Sequence, residues 1–319
     1  MPMTQKPTHA QIKPLLVMSL GRKGGCVQYA QHILAHLNLP YTLYETTYIQ
    51  EPPSKGAKSI KTYRRTRLSF ACNTLFRLPF LALKLCIDSH KYSALFLPYF
   101  HFWNLAFICV FKLIGKPVIL IEHDGIIHTN DGMPFEQSLI NASIKRADTI
   151  IFLTHFVKNS LSPKLLAHKH TAVIPHGIFA LKHLHTTPKT YTTKPTILFF
   201  GRINPYKGIH LLLNALASLP LESFEKLIIA GKSSYTYDLS YPQAFLDKLE
   251  IHDTFLSQES IAEIFNRSHI LVMPYLEASQ SGVASIGIAN AIPTICTDVG
   301  GLKEQFISFR GGGGRYQCA

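Results

Sequence analysis

The chain is poor in acid. Of its 319 residues only 19 are Asp or Glu, against 32 Lys or Arg, so the formal net charge is +13. Its six cysteines, Cys26, Cys72, Cys86, Cys109, Cys296 and Cys318, form no Cys-x-x-Cys pair and do not cluster with His at zinc-ligand spacing. Buried thiols in a reducing compartment are the expectation. Glycine and proline number 19 each and show no collagen-like or linker-like bias. With 47% hydrophobic residues the chain can bury a large core, which excludes a disordered chain. The start, MPMTQKPTHAQIKP, has no apolar core before Leu15, which predicts no signal peptide and a cytoplasmic protein.

Two apolar stretches, Leu68–Ile87 and Leu95–Gly115, are long enough to suggest membrane spans. The first is broken by Arg77, Pro79 and Lys84, and the second by Pro98, His101, Asn104 and Lys112. A spanning helix wants about 20 mostly apolar residues with few charges. Neither stretch is read as a span. The second parses better as a strand, Ala94–Pro98, followed by a helix through Leu113.

The charge is unevenly placed. Residues 1–185 hold 21 Lys+Arg and 8 Asp+Glu, whereas residues 186–319 hold 11 of each. The whole excess therefore lies in the first part, which predicts two units with different partners. Residues 55–116 alone carry 11 Lys+Arg and one acid, Asp88. No recognisable nucleic-acid module accompanies them, so nucleic acid is not the expected partner. Basic residues interleaved with Leu, Phe and Trp suit an anionic membrane surface, against the plainer reading of a solvated face.

Short β-branched runs alternate with helical-period runs along the whole chain. Pro14–Ser19, Tyr41–Tyr44, Pro117–Glu122, Thr149–Leu153 and Thr171–Ile174 read as strands, with a helix over Val27–Leu37. His183–Pro195 has no periodicity and reads as a linker, where the charge balance also changes. The pattern then restarts. Thr196–Phe200, Lys226–Ala230, His269–Met273 and Thr294–Thr297 read as strands, and Ile209–Ala217, Gln258–Phe265 and Gly282–Ala291 as helices. This predicts an α/β chain of two doubly wound, Rossmann-like domains, 1–185 and 186–319, with ligands outside the carboxyl ends of strands in a cleft between them.

Two segments carry the chemistry. In FFGRINPYKG (199–208) a strand ends, Gly201 opens a turn, and Arg202 and Lys207 follow. A planar fork and a mobile point charge together suit a diphosphate and the charge developing on a leaving group. Two solvated loop cations are the alternative. In PYLEASQSGV (274–283) a Ser-Gln-Ser-Gly run opens a helix whose first amides can bind an anion, with Ser279 or Ser281 as cap or donor. Glu277 just before it suits neutral hydroxyls such as a sugar's. An ordinary helix cap is the alternative there.

GRINPYKGIHLLLNAL, LIIAGK, PYLEASQSGV and TDVGGLKE occur in that order, preceded by VIPHGI at 173–178 and the Gly-rich GRKGGCVQ at 21–28. Together they resemble family 4 nucleotide-sugar glycosyltransferases of the bacterial surface-polysaccharide type, over residues 15–305. The resemblance implies a GT-B fold, a nucleotide-diphosphate sugar donor, transfer with retention at the anomeric carbon, and no cofactor or essential metal. No Asp-x-Asp metal motif occurs in the sequence. It further implies that Arg202 and Lys207 hold the diphosphate beside Gly201, and that Ser281, Gly282 and Val283 give backbone contacts. Glu277 would meet the transferred sugar, and Gly24 and Gly25 would let the first loop approach the donor. His123 would stand near the reacting centre, and Asp124 would orient a glycan or lipid-linked acceptor. An NAD-dependent oxidoreductase is disfavoured, because the first loop lacks Gly-x-Gly-x-x-Gly.

One departure from that family lies inside its motif. A second Glu, which binds the nucleotide ribose in the family, would fall on Ser285, with Ile286 after it. Ribose recognition is therefore expected to differ. After TDVGGLKEQF the chain reads ISFRGGGGRYQCA. The family pattern calls for further βα structure and a closing helix. The four glycines imply a G-rich, slippage-prone codon tract, so a truncated product that keeps only donor or membrane binding is the second expectation.

Overall fold

The structure is a computed structural model and describes residues 12–62, 66–128, 133, 135–177, 194–308 and 316–318. The expected domain boundary at 185/186, most of the linker 183–195 and the glycine run 311–314 lie outside the described residues. The chain divides into two compact units. The first comprises Met1–Glu122, Phe135–Ile151 and Ser162–Ala172. The second comprises His123–Pro134, Phe152–Leu161 and Val173–Ala319.

The first stretch of chain runs β1 (Leu15–Ser19), α1 (Gly25–Ala35), β2 (Tyr41–Thr46), β3 (Lys58–Ile60), α2 (Arg67–Asp88), β4 (Leu95–Leu97), α3 (Asn104–Leu113), β5 (Val118–Glu122), α4 (Glu136–Arg146), β6 (Thr149–Phe152), α5 (His155–Ser160), α6 (Pro163–Leu166) and β7 (His170–Val173). The strands form a seven-stranded sheet in the order β3-β2-β1-β4-β5-β6-β7. β1 pairs in parallel with both β2 and β4. Leu16, Val17 and Met18 are all fully buried, as a strand covered on both faces requires. Helix α3 follows β4 as the sequence predicts and buries Phe107, Ile108 and Phe111. The apolar stretch from residue 68 is one continuous helix, α2, with Pro79 inside it. It starts at Thr66, whose side chain accepts from the Ser69 amide.

The second stretch runs β8 (Thr196–Phe200), α7 (Ile209–Ala217), β9 (Lys226–Ala230), α8 (Gln243–Leu246), β10 (Leu249–His252), α9 (Gln258–Arg267), β11 (Ile270–Met273), α10 (Gly282–Ala289), β12 (Thr294–Cys296), α11 (Leu302–Ser308) and β13 (Tyr316–Cys318). These strands form a six-stranded sheet in the order β10-β9-β8-β11-β12-β13, and its paired strands run parallel. Side chains alternate across β8. Ile197 and Phe199 join Leu212, Leu213 and Leu216 of α7 on one face. Leu198 and Phe200 join Phe265 of α9, Ala284 of α10 and Phe306 of α11 on the other. Each face is thus closed by its own helices.

The sheet order fixes where a site can form. The chain leaves β8 toward β9 and β10, then returns to place β11 on the other side of β8. β8 and β11 therefore flank a topological switch point, and ligands of such sheets bind outside the carboxyl ends of the strands there. Those two loops are 201–208 and 274–281.

One expectation needs correction. Cys26, Cys72 and Cys86 are exposed free thiols, Cys109 is half-buried and Cys296 is buried. Cys72 and Cys86 sit on the outward side of α2, where helical phase and not apolar character sets exposure. β3, β10 and α2 had no counterpart in the sequence reading. The two strands are three and four residues long and too weakly patterned to stand out.

Candidate active site

At the end of β8, Gly201 has φ 108°, and its amide donates to the Ala230 carbonyl at 2.9 Å. A Cβ there would stand 2.9 Å from Val283 Cγ2 and 3.9 Å from Lys207 Nζ. The turn therefore needs glycine because its φ is positive and Val283 of α10 crowds it, with Lys207 Nζ in ordinary contact range. Gly208, at φ 66°, ends the loop, and a Cβ on it would collide with the Pro274 carbonyl oxygen. The Leu276 amide donates to the Tyr206 carbonyl at 2.7 Å. The two loops are thus bound to each other by their backbones.

Arg202 and Lys207 sit differently. Arg202 is exposed, whereas Lys207 is buried. Lys207 Nζ donates to the Tyr275 hydroxyl at 2.7 Å and lies 4.1 Å from the centroid of that ring. Tyr275 is itself buried, which pushes its hydroxyl pKa well up and keeps it a neutral partner. The Tyr275 hydroxyl and ring face hold the buried ammonium at the end of β8 without bringing a charge of their own.

Ser281 is the cap of α10, its Oγ accepting from the Ala284 amide at 3.4 Å. Gln305 of α11 clamps the same residue. Its Oε1 accepts from the Ser281 amide at 2.8 Å, and its Nε2 donates to the Ser281 carbonyl at 2.9 Å. Nε2 also lies 3.2 Å from Ser285 Oγ. Gly282 and Val283 are the first two residues of the helix. Ser285, where the related family carries its second Glu, is fully buried and 3.0 Å from His176 Nδ1. Burial holds the His176 pKa down to about 4 despite its bond to the Gly177 carbonyl. That imidazole is neutral.

A second cluster belongs to the same unit. His128 lies 3.6 Å from Asp124 Oδ1, 3.5 Å from Glu277 Oε2 and 3.4 Å from Ser279 Oγ. Its ring stacks on Tyr206 at 4.7 Å. Burial disfavours the imidazolium, but Asp124 and Glu277 outweigh it and raise the pKa. Asp124 moves the other way: burial opposes its charge, and the two nearby histidines still hold its pKa below the ordinary value. His123 is buried and close enough to bias both Asp124 and His176. Asp124 and Glu277, distant in sequence, therefore share one partner, His128.

His128, Tyr206, Tyr275, His176 and Gln305 were missed from the sequence. Tyr275 carried a signal, since it follows Pro274 directly at a strand end. His176 lies within the VIPHGI motif. Gly24 and Gly25 belong to the first unit. Gly24 caps α1 at φ 94°, and its amide reaches Glu51 Oε1 at 3.4 Å. A Cβ on either glycine would meet nothing within 4 Å, so no crowding accounts for Gly25.

The first unit also holds a shallow cavity of about 790 Å³, lined in part by Lys112, Lys145, Arg146, Asp148 and Lys169. It lies at the amino ends of β6 and β7. Lys112 is paired with Asp148, and Lys169 donates to the Lys145 and Ala147 carbonyls. Ligands of such sheets bind at the opposite, carboxyl ends, so this cavity is not the candidate site.

Residues 183–312 match the family model of glycosyl transferases group 1. Two proteins of Methanocaldococcus jannaschii are similar in sequence. The uncharacterized glycosyltransferase MJ1607 is 29% identical over 111 residues, 34% of this chain and 28% of the relative. The uncharacterized glycosyltransferase MJ1178 is 26% identical over 201 residues, 61% of this chain and 54% of the relative. The chain thus spans about half, or less, of the length of these curated relatives. Among solved structures, sucrose-phosphate synthase from Thermosynechococcus elongatus superposes with TM-score 0.64 at 16% identity, covering 92% of this chain and 83% of that one. Anabaena HepE in complex with UDP superposes with TM-score 0.64 at 14% identity, covering 96% and 85%. The fold is α/β and of the GT-B type, with two parallel-sheet domains.

Proposed function

We propose that the chain is a retaining glycosyltransferase of the family 4 type. It moves a sugar from a nucleotide-diphosphate donor to a glycan or lipid-linked acceptor in cell-surface polysaccharide synthesis. The observation that carries this reading is the meeting of Lys207 and the start of α10 at the carboxyl ends of β8 and β11, against Gly201. A buried cation and the first amides of a helix are complementary to a diphosphate. As the bond from the anomeric carbon to the phosphate oxygen breaks, its electron pair leaves with the diphosphate. Lys207 and Arg202 stabilise that charge without a divalent ion. Glu277 offers a carboxylate to sugar hydroxyls, and Asp124 orients the acceptor beside His123.

The similarity to HepE, whose structure contains UDP, makes uridine diphosphate sugars the first donors to test. The acceptor is presented at the cytoplasmic face of an anionic membrane, in keeping with the basic first part of the chain. A thermal-shift panel of nucleotide sugars tests the donor, because stabilisation grows with the logarithm of ligand over Kd. Release of nucleotide diphosphate with EDTA present tests the chemistry. No shift with any nucleotide sugar, and no release, would overturn the reading.

A further inference from the structure

Helix α2 makes unusual use of its apolar residues. Its inner side packs on α3: Phe70 stacks on Trp103, Trp103 Nε1 donates to Thr74 Oγ1 at 2.8 Å, and Leu85 is fully buried. The other side carries Leu68, Leu75, Phe76, Phe80, Leu83 and Ile87, exposed by between 60% (Leu83) and 75% (Phe80). At about 100° per residue these six fall within an arc of about 140°. Arg77 and Lys84, both exposed, fall together along one margin of that arc. Among the described residues α2 is the one helix long and apolar enough to cross a membrane by length and composition. Its inner stripe, however, is already committed to Trp103.

We propose that the outer stripe of α2 docks this unit onto an anionic lipid bilayer, the helix lying in the interface with Phe76, Phe80 and Leu83 inserted. This deepens the membrane part of the function proposed above by naming the element that carries it. The charge around the stripe selects the partner. Lys55, Lys58 and Lys61 precede the helix and are exposed. The one acid of the region, Asp88, is neutralised by Lys84 at 2.7 Å and Lys91 at 2.6 Å. A second copy of the chain would bring a like-charged face against this one, which costs energy. Nucleic acid offers phosphates for the lysines but nothing for six apolar side chains. Anionic headgroups over acyl chains satisfy both.

The test is co-flotation of the full chain with vesicles of phosphatidylcholine alone, or with about one third phosphatidylglycerol. The expected result is partitioning at least about tenfold stronger to the anionic vesicles. The triple variant Phe76→Ser/Phe80→Ser/Leu83→Ser should lose at least about tenfold of it. Trp103 is the single tryptophan and touches α2, so unchanged Trp emission shows that the helix is still packed. If that variant loses its emission, Lys55→Glu/Lys58→Glu/Lys61→Glu replaces it, with loss of the anionic preference expected. Equal binding to both vesicles, wild-type binding by a folded variant, or a concentration-dependent dimer that the serine variant abolishes would each overturn the proposal. No nucleotide sugar is present, so a negative result here leaves the donor reading untouched.

Discussion

Ser285 Oγ lies 3.0 Å from His176 Nδ1, in a place closed to solvent. The family resembled by this sequence has a carboxylate there for the nucleotide ribose. Here a hydroxyl, a neutral imidazole and the Gln305 amide fill the volume. Ser285→Glu should therefore lower the Tm and leave donor affinity no better. Overpacking alone costs about 1–3 kcal/mol, and a buried carboxylate adds to it. Thermal melts with and without UDP check both halves. A tighter donor at unchanged Tm would contradict the packing seen here.

Lys207 is expected to dominate the proposed phosphate site. Lys207→Ala removes the buried cation and should reduce transfer by about 100-fold or more, as loss of a charge-stabilising donor does. Tyr275→Phe keeps the ring under the lysine and removes only the hydroxyl. Its effect should be about tenfold at most. Transfer rates of the two variants, measured side by side, test this order.

The Asp124–His128 pair makes stability depend on pH. Unfolded, the imidazole titrates near 6.5; folded, its pKa is higher. Its contribution is full below 6.5 and is lost as pH rises through the folded value. Asp124 is the reverse: its contribution is present above 3.8 and is lost as pH falls through its lowered folded value. The Tm gap between wild type and His128→Gln should be widest in the mildly acid range and close in mild alkali. Asp124→Asn should lower the His128 titration seen by NMR. A gap that widens with rising pH would reverse the assigned sign.

Gly208→Ala should destabilise the second unit more strongly than Gly282→Ala. At Gly208 the added Cβ meets the Pro274 carbonyl at a positive φ, whereas at Gly282 it meets nothing within 4 Å. A strained alanine costs more than about 1 kcal/mol, and an unstrained one in the first helical turn does not. Urea unfolding of the two variants distinguishes them.

Much of the fold was legible because buried parallel strands are short apolar runs. PLLVMS, TILFF and KLIIA each end in a turn residue or a loop, and each became a strand. β10 was not legible, since LEIH alternates like any half-exposed surface segment. The loop motifs at 201–208 and 274–283 could be read because strand, turn and helix start are all local. His128 could not. Its partners Asp124 and Glu277 are far apart in sequence, and only the fold places one imidazole between them. Gln305 was hidden for the same reason, because its two bonds to Ser281 cross from one helix to the start of another.

Helix α11 holds two separate helix starts with adjacent side chains. Glu304 accepts from the amides of His155 and Phe156, at 2.6 and 2.7 Å, at the head of α5. Gln305 grips Ser281 at the head of α10. Opening α11 would strip both helices of these partners at once. In hydrogen exchange, the amides of His155, Phe156 and Ser281 should then share one opening free energy, as members of a single cooperative unit assembled from three distant stretches of chain.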